Sequence, residues 1–245
     1  MNPGTLYGIG VGPGDPDLIT MKAARILGEA DVVFAASSTK NTHSQAVEIA
    51  RPHLKDSVLV RMIPFPMTKD METMESAWEK NALEIIATLE KGLDVVFLTL
   101  GDCMTYSTFG YVLRNIQRLA PHITVCSVPG ITSYQAAASR LNTPLVEGEE
   151  SLTLLSGVHG GGRFREISHN AENVVFLKAY KNASDIAKAL DDAGMSANSV
   201  GIVKCGLEGE QIINDVNEFR DKKPDYWTLI ISKKGKNFVP QKTNQ

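Results

Sequence analysis

Residues 8–16 read Gly-Ile-Gly-Val-Gly-Pro-Gly-Asp-Pro, directly after the short apolar run Leu6-Tyr7. Glycines at a strand-to-helix junction let the backbone approach a ligand closely, and phosphate binding is the first chemistry to weigh. The spacing argues against a dinucleotide. Counting G-x-G-x-x-G from Gly8 puts Pro13 in the last place, and counting from Gly10 puts Asp15 there. Pro13 has no N–H to offer a phosphate, and a carboxylate at the start of the next helix repels one. The acid that would hold a ribose is also missing, because the expected second strand, Asp31–Ala36, runs into Ser37-Ser38-Thr39. The loop suits a ligand without a pyrophosphate.

The residues around it set the elements that must position such a ligand. Short apolar runs alternate with helical patterns: Leu6–Val11, a helix from Leu18, Asp31–Ala36, a helix from Ser44, Ser57–Met62, a long helix near Met74–Lys91, then Asp94–Leu100. That alternation predicts an α/β layer structure with parallel strands covered on both faces. The glycine loop and Gly101-Asp102 each follow an expected strand, so both motifs belong at the carboxyl ends of a sheet, where open α/β sheets bind ligands.

Pro121, in Ala120-Pro121-His122, stops the helix expected over Tyr111–Leu119 and sets a domain boundary, with domains at 1–121 and 122–245. Strands are expected at Ile123–Val128, Leu152–Leu155, Val174–Lys178, Val200–Cys205, Gln211–Val216 and Tyr226–Ser232, with helices at Ser133–Leu141 and Ser184–Ala193. The crowding of strands late in the chain predicts a mixed sheet with antiparallel pairs. The 245 residues are 43% apolar with a formal charge of −3, which supplies real cores and no general attraction for nucleic acid or an anionic membrane. Cys103, Cys126 and Cys205 are too scattered for a disulfide framework or a zinc site, and His159 and His169 lack ligand spacing, so no protein-bound metal is expected. No apolar stretch reaches about 18 residues and no signal peptide is evident, so the expected location is the cytoplasm.

Three blocks carry a resemblance. They are Tyr7–Thr20 with Lys22-Ala23-Ala24, then Leu100-Gly101-Asp102-Cys103-Met104-Thr105-Tyr106-Ser107-Thr108, then Val128-Pro129-Gly130-Ile131-Thr132-Ser133. In this order they resemble the tetrapyrrole methylases, which move a methyl group from S-adenosylmethionine to a macrocycle. Tyr106-Ser107-Thr108 and Cys205-Gly206-Leu207-Glu208-Gly209-Glu210 look most like the members that methylate carbon 20 of precorrin-2 or cobalt-factor II on the route to cobalamin. The resemblance implies two α/β domains with the cofactor in the cleft between them, a tetrapyrrole substrate and a homodimer. The other readings are methylation at another carbon of the same pathway, a non-catalytic tetrapyrrole-binding protein, and a nucleotide-dependent oxidoreductase.

For S-adenosylmethionine the resemblance implies contacts at Pro13, Gly101, Asp102, Thr105, Thr132, Ser133, Lys178, Gly206 and Thr228. Asp102 could receive the cationic methionine moiety, or could cap a helix beginning near Thr105. Cys103 stands where the family commonly has proline. With no histidine close in sequence, it reads as a packing residue rather than a nucleophile. A polycarboxylate macrocycle calls for cations, and the candidates are Lys40, Arg61, Arg114, Lys178, Lys204, Arg163 and Arg165. The last two come just after Gly160-Gly161-Gly162, which could hinge a lid over substrate or form a mobile surface loop. His43 is a candidate proton acceptor, in a region where related uroporphyrinogen methylases carry an acid. The alternative is a helix-start histidine with no such role.

Overall fold

The structure is a computed structural model describing residues 2–37, 44–221 and 223–235, so the candidates Lys40 and His43 lie outside the described residues. The chain divides into two compact units after Thr132. In the first, β1 (Leu6–Gly10), β2 (Val32–Ser37), β3 (Leu59–Pro64), β4 (Val95–Thr99) and β5 (Val125–Val128) form one sheet in the order β3-β2-β4-β1-β5. Every pairing in it is parallel. The helices are α1 (Met21–Glu29), α2 (Gln45–Ala50), α3 (Met71–Leu89) and α4 (Phe109–Leu119).

Side chains alternate along the strands, and this sorts the core into two layers. Leu6, Phe34, Val95 and Phe97 pack with Ile85 and Leu89 of α3 and with Phe109, Val112 and Ile116 of α4. Ile9, Val33, Ala35, Val96 and Leu98 point the other way, onto Ala23 and Leu27 of α1 and Val47, Ile49 and Ala50 of α2. Strands buried on both faces explain the near-continuous apolar runs Val-Val-Phe-Ala-Ala and Val-Val-Phe-Leu. The chain therefore leaves β1 toward one face and β4, its neighbour, toward the other, which makes their carboxyl ends the switch point of the sheet. Gly8 is the place where α4 meets β1: a Cβ there would lie 2.1 Å from the Phe109 ring.

The second unit holds α5 (Ser133–Arg140), β6 (Leu152–Ser156), α6 (Gly162–Ile167), β7 (Asn173–Leu177), α7 (Ala183–Asp192), β8 (Ser199–Val203), β9 (Gln211–Ile213) and β10 (Thr228–Lys233). Its sheet runs β6-β7-β10-β8-β9, with β6 and β7 parallel and the other pairs antiparallel, as the strand density predicted. One face packs Val174, Phe176 and Ile230 on Ile186 and Leu190 of α7 and Phe164 of α6, and the other packs Val175, Ile202 and Ile231 on Ala137 of α5 and Leu141.

Two sequence expectations are corrected. The boundary is not at 122: β5 pairs with β1 from Leu6↔Val125 to Ile9↔Val128, so the Ile123–Val128 segment completes the first sheet. Pro121 ends a helix, and a helix end need not be a domain end. Nor are Gly160–Gly162 a hinge or a free loop. Gly162 opens α6, the Gly161 N–H donates to Asp185 Oδ2 at 2.7 Å, and a Cβ on Gly161 would sit 2.5 Å from the Ala189 Cβ. The glycines let α6 approach α7.

Asp185 also pairs with Arg165 Nη2 at 2.7 Å. Hydrogen bonds from Arg165 and then from Gly161 hold its carboxyl below the ordinary aspartate value. A carboxyl whose folded pKa is depressed adds stability that is complete above its unfolded pKa of about 3.9 and is lost as pH falls through the folded value. Asp185→Asn is therefore expected to lower the urea midpoint at pH 7. Its deficit against the unmodified protein should shrink below about pH 4, where Asp185 itself becomes protonated. A deficit that stays constant down to pH 2 would remove Asp185 ionisation from the account.

Candidate functional site

The loops after β1, β4 and β5 meet through bare backbone. Gly12 and Gly101 form an isolated antiparallel bridge, Gly12 N–H to Gly101 O at 3.1 Å and Gly101 N–H to Gly12 O at 2.7 Å. Both residues are left-handed, with φ of 85° and 68°, a region that glycine enters without steric cost. A Cβ on Gly10 would lie 2.5 Å from Gly101 O, and one on Gly130 would lie 2.2 Å from the same atom. The glycines read from the sequence as making room for a ligand are thus also required for the three loops to pack on one another. Pro13 is buried beside this contact, and Thr132 follows it, also buried.

Asp102 ties the loops after β4 and β5 together. Its Oδ1 accepts from Met104 N–H at 2.9 Å and from Thr105 Oγ1 at 3.0 Å, and its Oδ2 accepts from Gly130 N–H at 3.2 Å. It does not cap α4, which begins at Phe109, where Ser107 Oγ accepts the first amide at 3.1 Å. Asp102 instead organises the turn that carries Thr105. The same turn presents Met104 and a left-handed Tyr106 (φ 50°), both more than half exposed. Neither residue was singled out from the sequence, although Tyr106 lies in a run that carried the resemblance.

Cys103 is fully buried and its thiol donates to Val128 O at 3.3 Å. Burial, then the neighbouring Asp102 carboxylate, push its pKa up to about 11, so the thiolate needed of a nucleophile is scarce at neutral pH. The packing reading of Cys103 holds.

In the second unit, the antiparallel pairing of β10 with β7 and β8 brings their two carboxyl ends and its own amino end to one sheet edge. Lys178, Gly206 and Thr228 gather there. Thr228 is buried and donates to Asp225 O at 2.6 Å. Gly206 is left-handed with φ of 73°, and so are Lys178 at 58° and Lys204 at 53°. Lys178 is exposed by area, yet protein atoms crowd its ammonium enough that lost hydration lowers its pKa from the ordinary lysine value. Ser133 opens α5 in the same unit.

Five of the candidate substrate cations, Arg61, Arg114, Arg163, Arg165 and Lys204, have protein partners. Arg61 on β3 lies 3.5 Å from Glu84 and over the Phe34 ring, and Arg114 lies over Tyr111, its Cζ 5.2 Å from the ring centroid. Arg163 pairs with Glu166, Arg165 with Asp185, and Lys204 with Asp225 at 3.2 Å. Sequence alone could not show Glu84, Phe34, Asp185 or Asp225 as partners, because they are remote in sequence; Tyr111 and Glu166 are three residues away on the same helix. Among the described residues, no group of three or more His, Cys, Asp or Glu could hold a metal ion, and no helix is long and apolar enough to cross a membrane.

The family model of the tetrapyrrole (corrin/porphyrin) methylases matches residues 5–218, which takes in the glycine loop, the Asp102 turn and the Gly206 turn. The chain belongs to this family. Among curated methylases it is 34% identical to the cobalt-precorrin-2 C(20)-methyltransferase of Salmonella typhimurium, over 94% of this chain and 97% of that one. It is also 34% identical to a probable cobalt-precorrin-2 C(20)-methyltransferase of Methanocaldococcus jannaschii, over 94% and 96% of the two chains. Among solved methylase structures, the fold is shared with a uroporphyrin-III C-methyl transferase from Thermus thermophilus complexed with S-adenyl homocysteine. The TM-score is 0.67 at 24% identity, covering 94% of this chain and 98% of that one.

Proposed function

We propose that the protein methylates carbon 20 of precorrin-2 or of its cobalt-bearing counterpart, with S-adenosylmethionine as donor, in cobalamin biosynthesis. The observation that carries this reading is the 34% identity, over 94% of the chain, to a relative named for that reaction. The three loops at the carboxyl ends of β1, β4 and β5 fit the donor chemically. Residues 11–17, 100–108 and 128–133 contain Asp15, Asp17 and Asp102 but no lysine or arginine. Such loops suit a cation and disfavour a diphosphate, which argues against a nucleotide-dependent oxidoreductase.

Pro13, Gly101, Asp102, Thr105, Thr132, Ser133, Lys178, Gly206 and Thr228 would hold the donor. S-adenosylmethionine supplies a methyl group on a sulfonium, a leaving group that is already activated. The protein's part is then chiefly to align the macrocycle carbon with that methyl, an effect worth roughly 7–11 kcal/mol in well-oriented reactions. Loops locked by backbone contacts and by Asp102 are suited to that task. The reading includes a homodimer in the cytoplasm, the dimer being testable by light scattering.

The deciding experiment gives the protein S-adenosylmethionine with precorrin-2 and with the cobalt form separately, and analyses the products by mass and NMR. One added methyl at carbon 20 of at least one substrate is expected. A methyl at another carbon would move the protein to a different step of the same pathway, and no methyl transfer to either would overturn the reading. Parallel calorimetric titrations should show binding of S-adenosylhomocysteine and none of NAD.

A further inference from the structure

We propose that Glu210 is a positioning residue for the methyl donor, fastening the Gly206 turn to the helix that begins at Ser133. The inference rests on the reading above, in which Gly206 and Ser133 touch S-adenosylmethionine. The turn between β8 and β9 needs such a fastening. Lys204, Gly206 and Gly209 are all left-handed, with φ of 53°, 73° and 82°. Its internal backbone bonds, Leu207 N–H to Lys204 O at 2.9 Å and Glu210 N–H to Leu207 O at 3.1 Å, close two successive tight turns, neither of them part of the strand ladder.

Backbone and side-chain bonds tie the turn down on two sides. Toward β10, the Lys204 N–H donates to Trp227 O at 2.8 Å and its ammonium lies 3.2 Å from Asp225. Toward α5, Glu210 makes two bonds of a different kind. Its Oε2 accepts the N–H of Gly206 itself at 2.8 Å, and its Oε1 accepts from Arg140 Nε at 2.6 Å. The Glu210 side chain is only 18% exposed, against 35% and 40% for the Lys204–Asp225 pair, so water competes with it less. Arg140 is the last residue of α5, and Ala137 and Leu141 around it pack against Val200 and Ile202 of β8. Glu210 thus joins the amide of an exposed glycine to a helix already fixed in the core. With its N–H committed, Gly206 itself offers a ligand its Cα and its carbonyl.

The test uses the full chain with calorimetric titration of S-adenosylhomocysteine, steady-state kinetics in both substrates, and thermal melts. Glu210→Ala loses a charge-assisted bond to each partner. It is expected to weaken S-adenosylhomocysteine about tenfold and to raise KM for S-adenosylmethionine by a similar factor. The kcat at saturating donor and the KM for the tetrapyrrole should stay within about twofold, a split that general loosening of the unit would not produce. Glu210→Gln keeps an acceptor for Gly206 and should lose about threefold, as should Arg140→Ala, while Arg140→Lys recovers part of that loss. Should Glu210→Ala fail to fold, the Glu210→Gln and Arg140 series carries the test.

Donor affinity unchanged in folded Glu210→Ala, or in the Gln and Arg140 variants, would overturn the proposal. So would parallel losses in both substrates together with a lower melting point. Failure of the unmodified protein to bind S-adenosylhomocysteine would instead remove the reading on which the proposal rests.

Discussion

Gly130→Ala is expected to destabilise the first unit by at least about 3 kcal/mol, the upper end of what overpacking usually costs. The added Cβ would lie 2.2 Å from Gly101 O and 2.6 Å from the carbonyl carbon of Gly10, and both are backbone atoms that cannot swing aside. For a chain of this size that loss corresponds to a melting point lower by roughly 6–12 °C. Because the atoms that must move belong to the carboxyl end of β1 and the loop after β4, binding of S-adenosylhomocysteine should fall with it. Gly110→Ala is the matched control: a Cβ there meets nothing within 4 Å, and alanine in a helix gains up to about 1 kcal/mol over glycine. A Gly130→Ala protein that melts with the unmodified one would show that the three loops are not mutually constrained.

Asp102→Ala is expected to weaken the donor by about 1–3 kcal/mol, or roughly 5- to 150-fold. The substitution leaves Met104 N–H, Thr105 Oγ1 and Gly130 N–H without their shared acceptor. Asp102→Asn should rescue little. Its oxygen can serve Met104 and Thr105, but its amide group then faces the N–H of Gly130, donor against donor. Competition binding of S-adenosylmethionine and S-adenosylhomocysteine to both variants measures the effect. Full affinity in a folded Asp102→Ala protein would leave Asp102 as a tie between loops with no part in binding.

Much of the architecture was legible because it is written in local periodicity. The alternation in Val95-Val96-Phe97-Leu98 assigns those residues to opposite faces, and the helical spacing around Leu27, Ile85 and Ile116 supplies the layers that cover them. The ligand end was legible for the same reason, since both glycine motifs directly follow apolar runs. What could not be read depends on contacts between distant residues. The Asp102–Gly130 bond joins the loops after β4 and β5, the two strands on either side of β1, and a strand order is not a local property. Pro121 signals where a helix stops and carries no information about which sheet the next strand joins. Gly160–Gly162 looked flexible because Asp185, the residue that immobilises Gly161, is remote in sequence. Arg61 and Arg165 looked available because their carboxylate partners, Glu84 and Asp185, lie on other elements, whereas Glu166 stands three residues from Arg163 on the same helix and was within reach of sequence reasoning.

The position of β10 bears on how the chain is made. All five strands of the first sheet have been synthesised once Val128 is in place, so that unit can close while the remainder is still emerging, in line with the tendency of N-terminal domains to fold first. The second sheet has no such early point of closure. Its β6–β7 and β8–β9 pairs are neighbours only through β10, which begins at Thr228 and is bonded on both sides. Until that strand leaves the ribosome, β7 and β8 each present an open apolar edge of the sort that recruits other chains. Synthesis that pauses between Ile213 and Thr228 would therefore yield a finished first half joined to an aggregation-prone second.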